Sequence, residues 1–333
     1  MSKALTRTDR GAAVTTAQAG DLLARFADFL RLNVAQGDAS AETLRAYQAH
    51  ARDYVAWCAA AGLNPATATY ANLVDYRKHL VDHGYSRGTV AYKVAALRRL
   101  YEAARAWGLR GDNPAEGLKP PKEATAPEDR RKFLPLGGLA RLLAAPQGDT
   151  PRARRDRAIL ALMGYHGLRV SEVAGLVITD YAAGDLPRLM VQGKGSKRRE
   201  VYLVDKTTRL LDAWLQVRVA RPRVKAIFTD LDNHYRGKGM TARAIRYLVD
   251  GYLAAVGLKA EGVSCHSLRH SFATWSLAGG AKLLSIAQAL GHSSVETTQV
   301  YAKIVDKVQE NPALYLGRLM TGSHTPPIRI QSV

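Results

Sequence analysis

Residues Ser264 to Lys303 read SCHSLRHSFATWSLAGGAKLLSIAQALGHSSVETTQVYAK. From Cys265 to Ala278 the apolar positions Leu268, Phe272, Trp275 and Ala278 step by three and four, which predicts an amphipathic helix. On such a helix His266 and Arg269 are i, i+3 neighbours, placed to address one ligand. Gly279-Gly280 stops it, and Leu283, Leu284, Ile286, Ala287 and Leu290 predict a second helix that Gly291-His292 ends. Tyr301 follows Thr297-Thr298 on a further short segment. The group amounts to a cationic, hydrogen-bonding pocket beside a phenol. A guanidinium fork suits a phosphate, and two imidazoles supply donors or move protons. A phenol with a pKa near 10 is a poor nucleophile alone, and a usable one where neighbouring cations stabilise its oxyanion.

Working outward, a formal charge of +19 over 333 residues is large, and with 47% hydrophobic residues the chain is globular. A balance this basic points to a polyanionic partner, nucleic acid ahead of a membrane surface. The length suits two domains, each with its own core. Cys58 and Cys265 lie far apart with no metal spacing, which fits a reducing compartment. The start, MSKALTRTDRGAAV, has no apolar signal run, and no stretch approaches a membrane span; a soluble, cytoplasmic protein is expected, nucleoid-associated when bound.

Taken in order, residues 1–19 form a basic tail without periodicity. Residues 20–115 predict a domain of four helices with short connections: one from Asp21, one after the N-cap Ser40, one over Ala71–His83 and one from Ser86 to Gly108. Its polar faces carry Arg45, Arg52, Arg77, Lys78, Arg87, Lys93, Arg98 and Arg99, the expected contacts to duplex phosphates. Residues 116–135 hold prolines and charges with no helical period and predict an interdomain linker. A second domain, 136–320, opens with two helices and then GYHGLRVSEVAGL, where Arg169 and Glu172 sit at i, i+3 so that a carboxylate braces a guanidinium. Leu186–Val204 changes period and predicts a β-hairpin with a basic, glycine-containing turn, Lys194 at its tip and Lys197, Arg198 and Arg199 behind it. Residues 321–333 form a C-terminal tail. The fold class expected is mainly α with a small β-hairpin.

Four motifs in order, GLRVSEV, GKGSKRREVYL, HSLRHSFATWSLAGG and LGHSSVETTQVYAKI, together resemble the tyrosine recombinases of the phage-integrase family, the Xer-like members above all. The resemblance runs from about Phe133 to Met320, and the preceding helices look like that family's core-binding, SAM-like domain. It implies a catalytic set of Arg169, Lys194, His266, Arg269, His292 and Tyr301, with Glu172 and His270 in support. It implies site-specific cutting and rejoining of DNA through a 3′-phosphotyrosyl intermediate, with strand exchange through a Holliday junction. Lys194 would be the general acid and His266 the acid/base partner of the tyrosine. No metal, ATP or other cofactor is implied. The partners implied are double-stranded DNA with inverted-repeat core sites, and further copies of the chain in a synaptic tetramer joined through the apolar segment 305–320. A second recombinase or an accessory protein is an open partner.

Two other functions fit some of these residues. A type IB topoisomerase-like enzyme would use the same chemistry without partner exchange, and a catalytically silent DNA-binding regulator would use only the basic surface. His266 and His270 have the i, i+4 spacing of a zinc pair, but Ser267 stands where an H-E-x-x-H site needs glutamate.

Overall fold

The structure, a computed structural model, describes residues 21–34, 39–122, 126, 129, 131–193, 197–292 and 296–309. The chain divides into two compact units, one ending at Ala124 and one beginning at Thr125. Lys194 and everything after residue 309 lie outside the described residues, as does residues 1–20, the expected tail.

The first unit is a bundle of α1 (21–33), α2 (Ala41–Ala60), α3 (Tyr70–Asp82) and α4 (Arg87–Ala106). Local chemistry fixes the ends. The hydroxyls of Ser40, Thr69 and Ser86 accept from the backbone N–H three residues on, which satisfies donors the first turn leaves free. Gly62, Gly84 and Gly108 follow the C-termini of α2, α3 and α4 at φ of +67°, +74° and +69°, a turn that a side chain would strain. Phe26 and Leu30, Tyr54, Tyr76 and Leu80, and Leu97 and Tyr101 fill the core from the four helices in turn. The Tyr54 and Tyr101 hydroxyls meet at 2.7 Å inside it.

Three of the cations expected to face duplex phosphates also hold this unit's own chain. The guanidinium groups of Arg77, Arg87 and Arg98 donate to the carbonyls of Lys119, Lys122 and Leu118. Lys93 is buried and ion-paired with Asp53, which corrects it from a surface contact to an internal one. Burying an ammonium alone would cost several kcal/mol, and Asp53 offsets that. Arg45, Arg52 and Lys78 are exposed, and Arg99 pairs with Glu102. The expected linker, 116–135, is pinned at both ends: Leu118 is buried in the first unit's core, and Leu134 in the second's.

In the second unit α5 (Leu136–Leu143) leads to α6 (Pro151–His166), which is buried on nearly every face and therefore shows no amphipathic stripe. After α7 (Val170–Gly175) come β1 (Tyr181–Ala182), β2 (Arg188–Gln192) and β3 (Arg198–Tyr202), an antiparallel sheet in that order. Leu189 pairs with Val201 and Val191 with Arg199, so these four share the inward face. Arg198, Glu200 and Tyr202 point to solvent. Two helices that the sequence reading left unassigned, α8 (Asp205–Val217) and α9 (Ala242–Ala255), pack around α6. Then follow α10 (Cys265–Ala278), α11 (Leu283–Leu290) and α12 (Glu296–Gln309). Tyr301 stands inside a fourteen-residue helix, a longer element than the short segment expected. Among the described residues no helix is long and apolar enough to cross a membrane.

Candidate active site

The site is assembled at the C-terminal end of α11. That helix closes with Gly291 in the left-handed region, φ +63°, and its last carbonyls point outward with the negative end of the helix dipole. Three guanidinium groups collect there. Arg199 donates from Nε to the Ala289 carbonyl at 2.9 Å. Arg269 and Arg169 both donate to the Leu290 carbonyl, at 2.6 and 3.4 Å. Glycine suits position 291 on two counts, its positive φ and the tight 3.1 Å that a Cβ there would leave to the Arg199 guanidinium.

Glu172 ties two of these cations together. Arg169 is the N-cap of α7, and its backbone N–H donates to Glu172 Oε2 at 2.8 Å while Nη1 donates to Oε1 at 2.8 Å. Arg199 approaches the same carboxylate from β3 with both terminal nitrogens, at 2.9 and 3.0 Å. Burial pushes the Glu172 carboxyl up, but hydrogen bonds from Arg199 and the Arg169 backbone outweigh it and hold the pKa below the usual carboxylate range. Arg269 is almost fully buried and also donates to the Gly167 carbonyl at 2.8 Å. Burial and then Arg169 push its pKa down to about 9, which leaves it a cation at neutral pH.

Tyr301 reaches this cluster from α12. It is 1% exposed, packed with Ala273, Ile286, Leu290 and Ile304. Its hydroxyl lies 2.8 Å from Nδ1 of His270, not against His266, the partner expected from the resemblance. His266 stands exposed one turn earlier on α10. Arg131 covers the other side of the phenol ring, its guanidinium 5.1 Å from the ring centroid and bonded to the Thr297 carbonyl. Burial raises the Tyr301 pKa, against the pull of Arg131 and Arg269. Burial first, then the surrounding arginines, lowers both His270 and His292 to about 4, so both rings are neutral at pH 7. Nδ1 of His292 lies 2.8 Å from the Thr298 hydroxyl.

The structure thus brings together Arg169, Glu172, His266, Arg269, His270, His292 and Tyr301; Lys194 is outside the described residues, and Lys197 and Arg198 are exposed. Arg199 was read from sequence only as one of the basic residues behind the hairpin turn, and Arg131 was not assigned. Strand alternation was the available signal for Arg199, because it puts residue 199 on the inward side with Val201. Nothing local marks Arg131, which sits in a proline-rich, charged stretch.

The sequence profile of the Phage integrase family matches residues 132–307, and that of the Phage integrase, N-terminal SAM-like domain matches residues 23–108. The chain belongs to the phage integrase family. As a tyrosine recombinase it is 30% identical over 282 residues to Tyrosine recombinase XerD of Listeria monocytogenes, covering 83% of this chain and 93% of that one. It is 34% identical over 276 residues to Tyrosine recombinase XerC of Pelobacter propionicus, covering 81% of this chain and 88% of that one. Its fold is similar to that of the XerH site-specific recombinase bound to palindromic difH substrate in a post-cleavage complex, with a TM-score of 0.73 at 18% identity over 90% of this chain and 97% of that one. It is also similar to lambda integrase in a tetramer bound to a Holliday junction, with a TM-score of 0.66 at 17% identity over 85% of this chain and 76% of that one.

Proposed function

We propose that this tyrosine recombinase cuts and rejoins double-stranded DNA at a specific site through a 3′-phosphotyrosyl intermediate. The observation that carries the reading is the convergence of Arg169 and Arg269 on the Leu290 carbonyl, beside Tyr301. Glu172 is the one carboxylate paired with this cluster among the described residues, and one carboxylate cannot neutralise the three guanidinium groups of Arg169, Arg199 and Arg269. The remaining N–H donors of Arg169 and Arg269 suit the non-bridging oxygens of a phosphodiester and the extra charge those oxygens gain in a pentavalent transition state.

In the proposed step Tyr301 Oη bonds to phosphorus and the bond from phosphorus to the 5′-oxygen breaks. Arg169 and Arg269 hold the non-bridging oxygens, and His292 donates a further hydrogen bond. Lys194 protonates the departing 5′-oxygen, the role the resemblance gives it. The ester bond is kept in the phosphotyrosine, so neither ATP nor a metal enters. Attack by a 5′-hydroxyl from a second duplex rejoins the strands. Each protomer cuts one strand, so exchange between two duplexes calls for a tetramer on DNA, with segment 305–320 as the proposed joining element. Arg45, Arg52 and Lys78 are the proposed phosphate contacts of the first unit, and Lys197 and Arg198 those of the hairpin.

The test incubates supercoiled plasmid carrying the DNA that flanks this gene with the protein, in EDTA and without ATP. A covalent protein–DNA adduct on a denaturing gel, absent for Tyr301→Phe, is the expected result. If a genome-wide fragment library also gives no adduct, the catalytic reading fails.

A further inference from the structure

Tyr301 cannot attack until its hydroxyl proton has somewhere to go, and the family resemblance gives that task to His266. The geometry points to a different acceptor: we infer that His270 takes the Tyr301 proton during cleavage and returns it during rejoining. The inference rests on the phosphotyrosyl reading above and assigns one proton within it.

Three observations converge on His270. Its Nδ1 is 2.8 Å from Tyr301 Oη, inside the range for direct transfer, whereas no hydrogen bond joins His266 to the phenol among the described residues. His270 is partly buried, while His266 is exposed and donates its backbone N–H to the Ser264 cap at the start of α10. The groups facing the His270 ring are Arg131 from the segment before α5, His266 and Arg269 on its own helix, His292 after α11, and Tyr301 on α12. All are cations or neutral rings, and among the described residues no carboxylate is paired with the imidazole to hold a proton on it in advance. The ring therefore waits neutral, with a free lone pair on Nδ1 once its own proton sits on Nε2.

The step balances. As the bond from Oη to phosphorus forms, the O–H bond of Tyr301 breaks and its proton passes to His270 Nδ1, giving an imidazolium. The 5′-oxygen leaves with a proton from the hairpin side. On rejoining, the phosphotyrosyl bond breaks and the imidazolium returns its proton to Oη. His266, freed from this task, stands exposed near the start of α10.

A nicked substrate, from which the short 5′-hydroxyl strand diffuses away, makes adduct formation single-turnover. Its rate is to be followed from about pH 6 to about pH 9 for the wild type, His270→Ala, His270→Asn and His266→Ala. Asn keeps a hydrogen-bonding atom near the Nδ1 position without its basicity, and it is the variant to trust if the Ala variant folds poorly. Both His270 variants should cleave about 100-fold or more slowly at neutral pH, gain rate with rising pH where the wild type levels off, and bind DNA as before. Added imidazole should restore part of the rate to His270→Ala and none to His266→Ala, a response that a merely structural histidine would not give. Wild-type rates for His270→Asn would overturn the proposal, leaving His270 as a tether for the phenol. Imidazole rescue confined to His266→Ala would overturn it in favour of His266. Failure of the wild type itself to form an adduct would remove the phosphotyrosyl reading, and this inference with it.

Discussion

Arg169, Arg199 and Arg269 are each held by charged or carbonyl acceptors on separate elements, whereas Tyr301, His270 and His292 are held by neutral hydrogen bonds. The cationic half converges on one buried carboxylate and the end of one helix, so its members are fixed before any phosphate arrives. The nucleophile half is buried among Ala273, Ile286 and Ile304, and its rings are neutral because burial and the nearby arginines keep protons off them. The division matches what each half must do. A charge clamp works best when its dipoles do not have to reorganise. A proton acceptor must be uncharged until the moment it acts.

Removing Glu172 should break this comparison most severely. Its side chain is 3% exposed and accepts from both Arg169 and Arg199, so Glu172→Ala leaves two partly buried cations without their shared anion. The loss should be about 3–5 kcal/mol in urea unfolding, with adduct formation lost as well. Glu172→Gln keeps the volume and one acceptor oxygen, and should lie between. A Glu172→Ala protein of unchanged stability would show that α11 alone holds the cations.

Next in size is Arg199, which reads as a positioning residue because three of its five N–H donors go to Glu172 and Ala289. Arg199→Lys supplies one point charge where a fork spans two carboxylate oxygens and a carbonyl, and it should slow cleavage about tenfold with DNA affinity unchanged. Arg199→Ala should lose about 100-fold. A change in DNA affinity equal to the change in rate would instead make Arg199 a phosphate contact.

These residues show how far the sequence could be read. Ser40 and Ser86 as caps, Gly62 and Gly108 as stops, and the three-and-four spacing through Trp275 are local signals, and the corresponding helices lie within a residue or two of their expected ends. The i, i+3 pairing of Arg169 with Glu172 was legible too, although Arg169 caps α7 where a helical position was expected. The unread part is non-local. Which histidine of His266 and His270 meets Tyr301 depends on where α12 lies against α10, and no periodicity within α10 reports that. Arg77, Arg87 and Arg98 read as a solvated basic face because the carbonyls they bind arrive from residues 118–122. In the basic turn, charge density concealed the alternation that sends Arg198 outward and Arg199 inward.

Acid should also separate the two halves of the site. His270 and His292 titrate near 4 in the folded chain, as does His166, which is buried against Thr207 well along α6. Unfolded, each returns to 6.5, so the unfolded chain binds more protons between these values and stability falls as pH falls from 6.5 toward about 4. Each ring contributes up to about 1.4 kcal/mol per pH unit in that window. Above pH 6.5 the contribution is complete and flat. Urea unfolding at several pH values should show the slope, and His270→Asn should reduce it. A slope unchanged in that variant would mean that protonated His270 is accommodated in the folded state.

The smallest effect expected is at Arg131, and it tests whether the two halves are coupled through the phenol. Arg131 is the cation on the nucleophile side, lying over the ring of Tyr301 at 5.1 Å and lowering its pKa against burial. Arg131→Ala removes a cation–π contact worth about 0.5–1 kcal/mol at a partly exposed position, so stability should change little. The phenol should become harder to ionise, because the pull that opposes burial is gone. Cleavage should therefore slow by about threefold at neutral pH and recover toward the wild-type rate at higher pH, where ionisation no longer limits it. Arg131→Lys retains the charge without the flat stacking surface and should keep most of the rate. A loss equal at all pH values, shared by the Lys variant, would mean that Arg131 acts by fixing Thr297 and the start of α12, and that the proton on Tyr301 is governed by His270 alone.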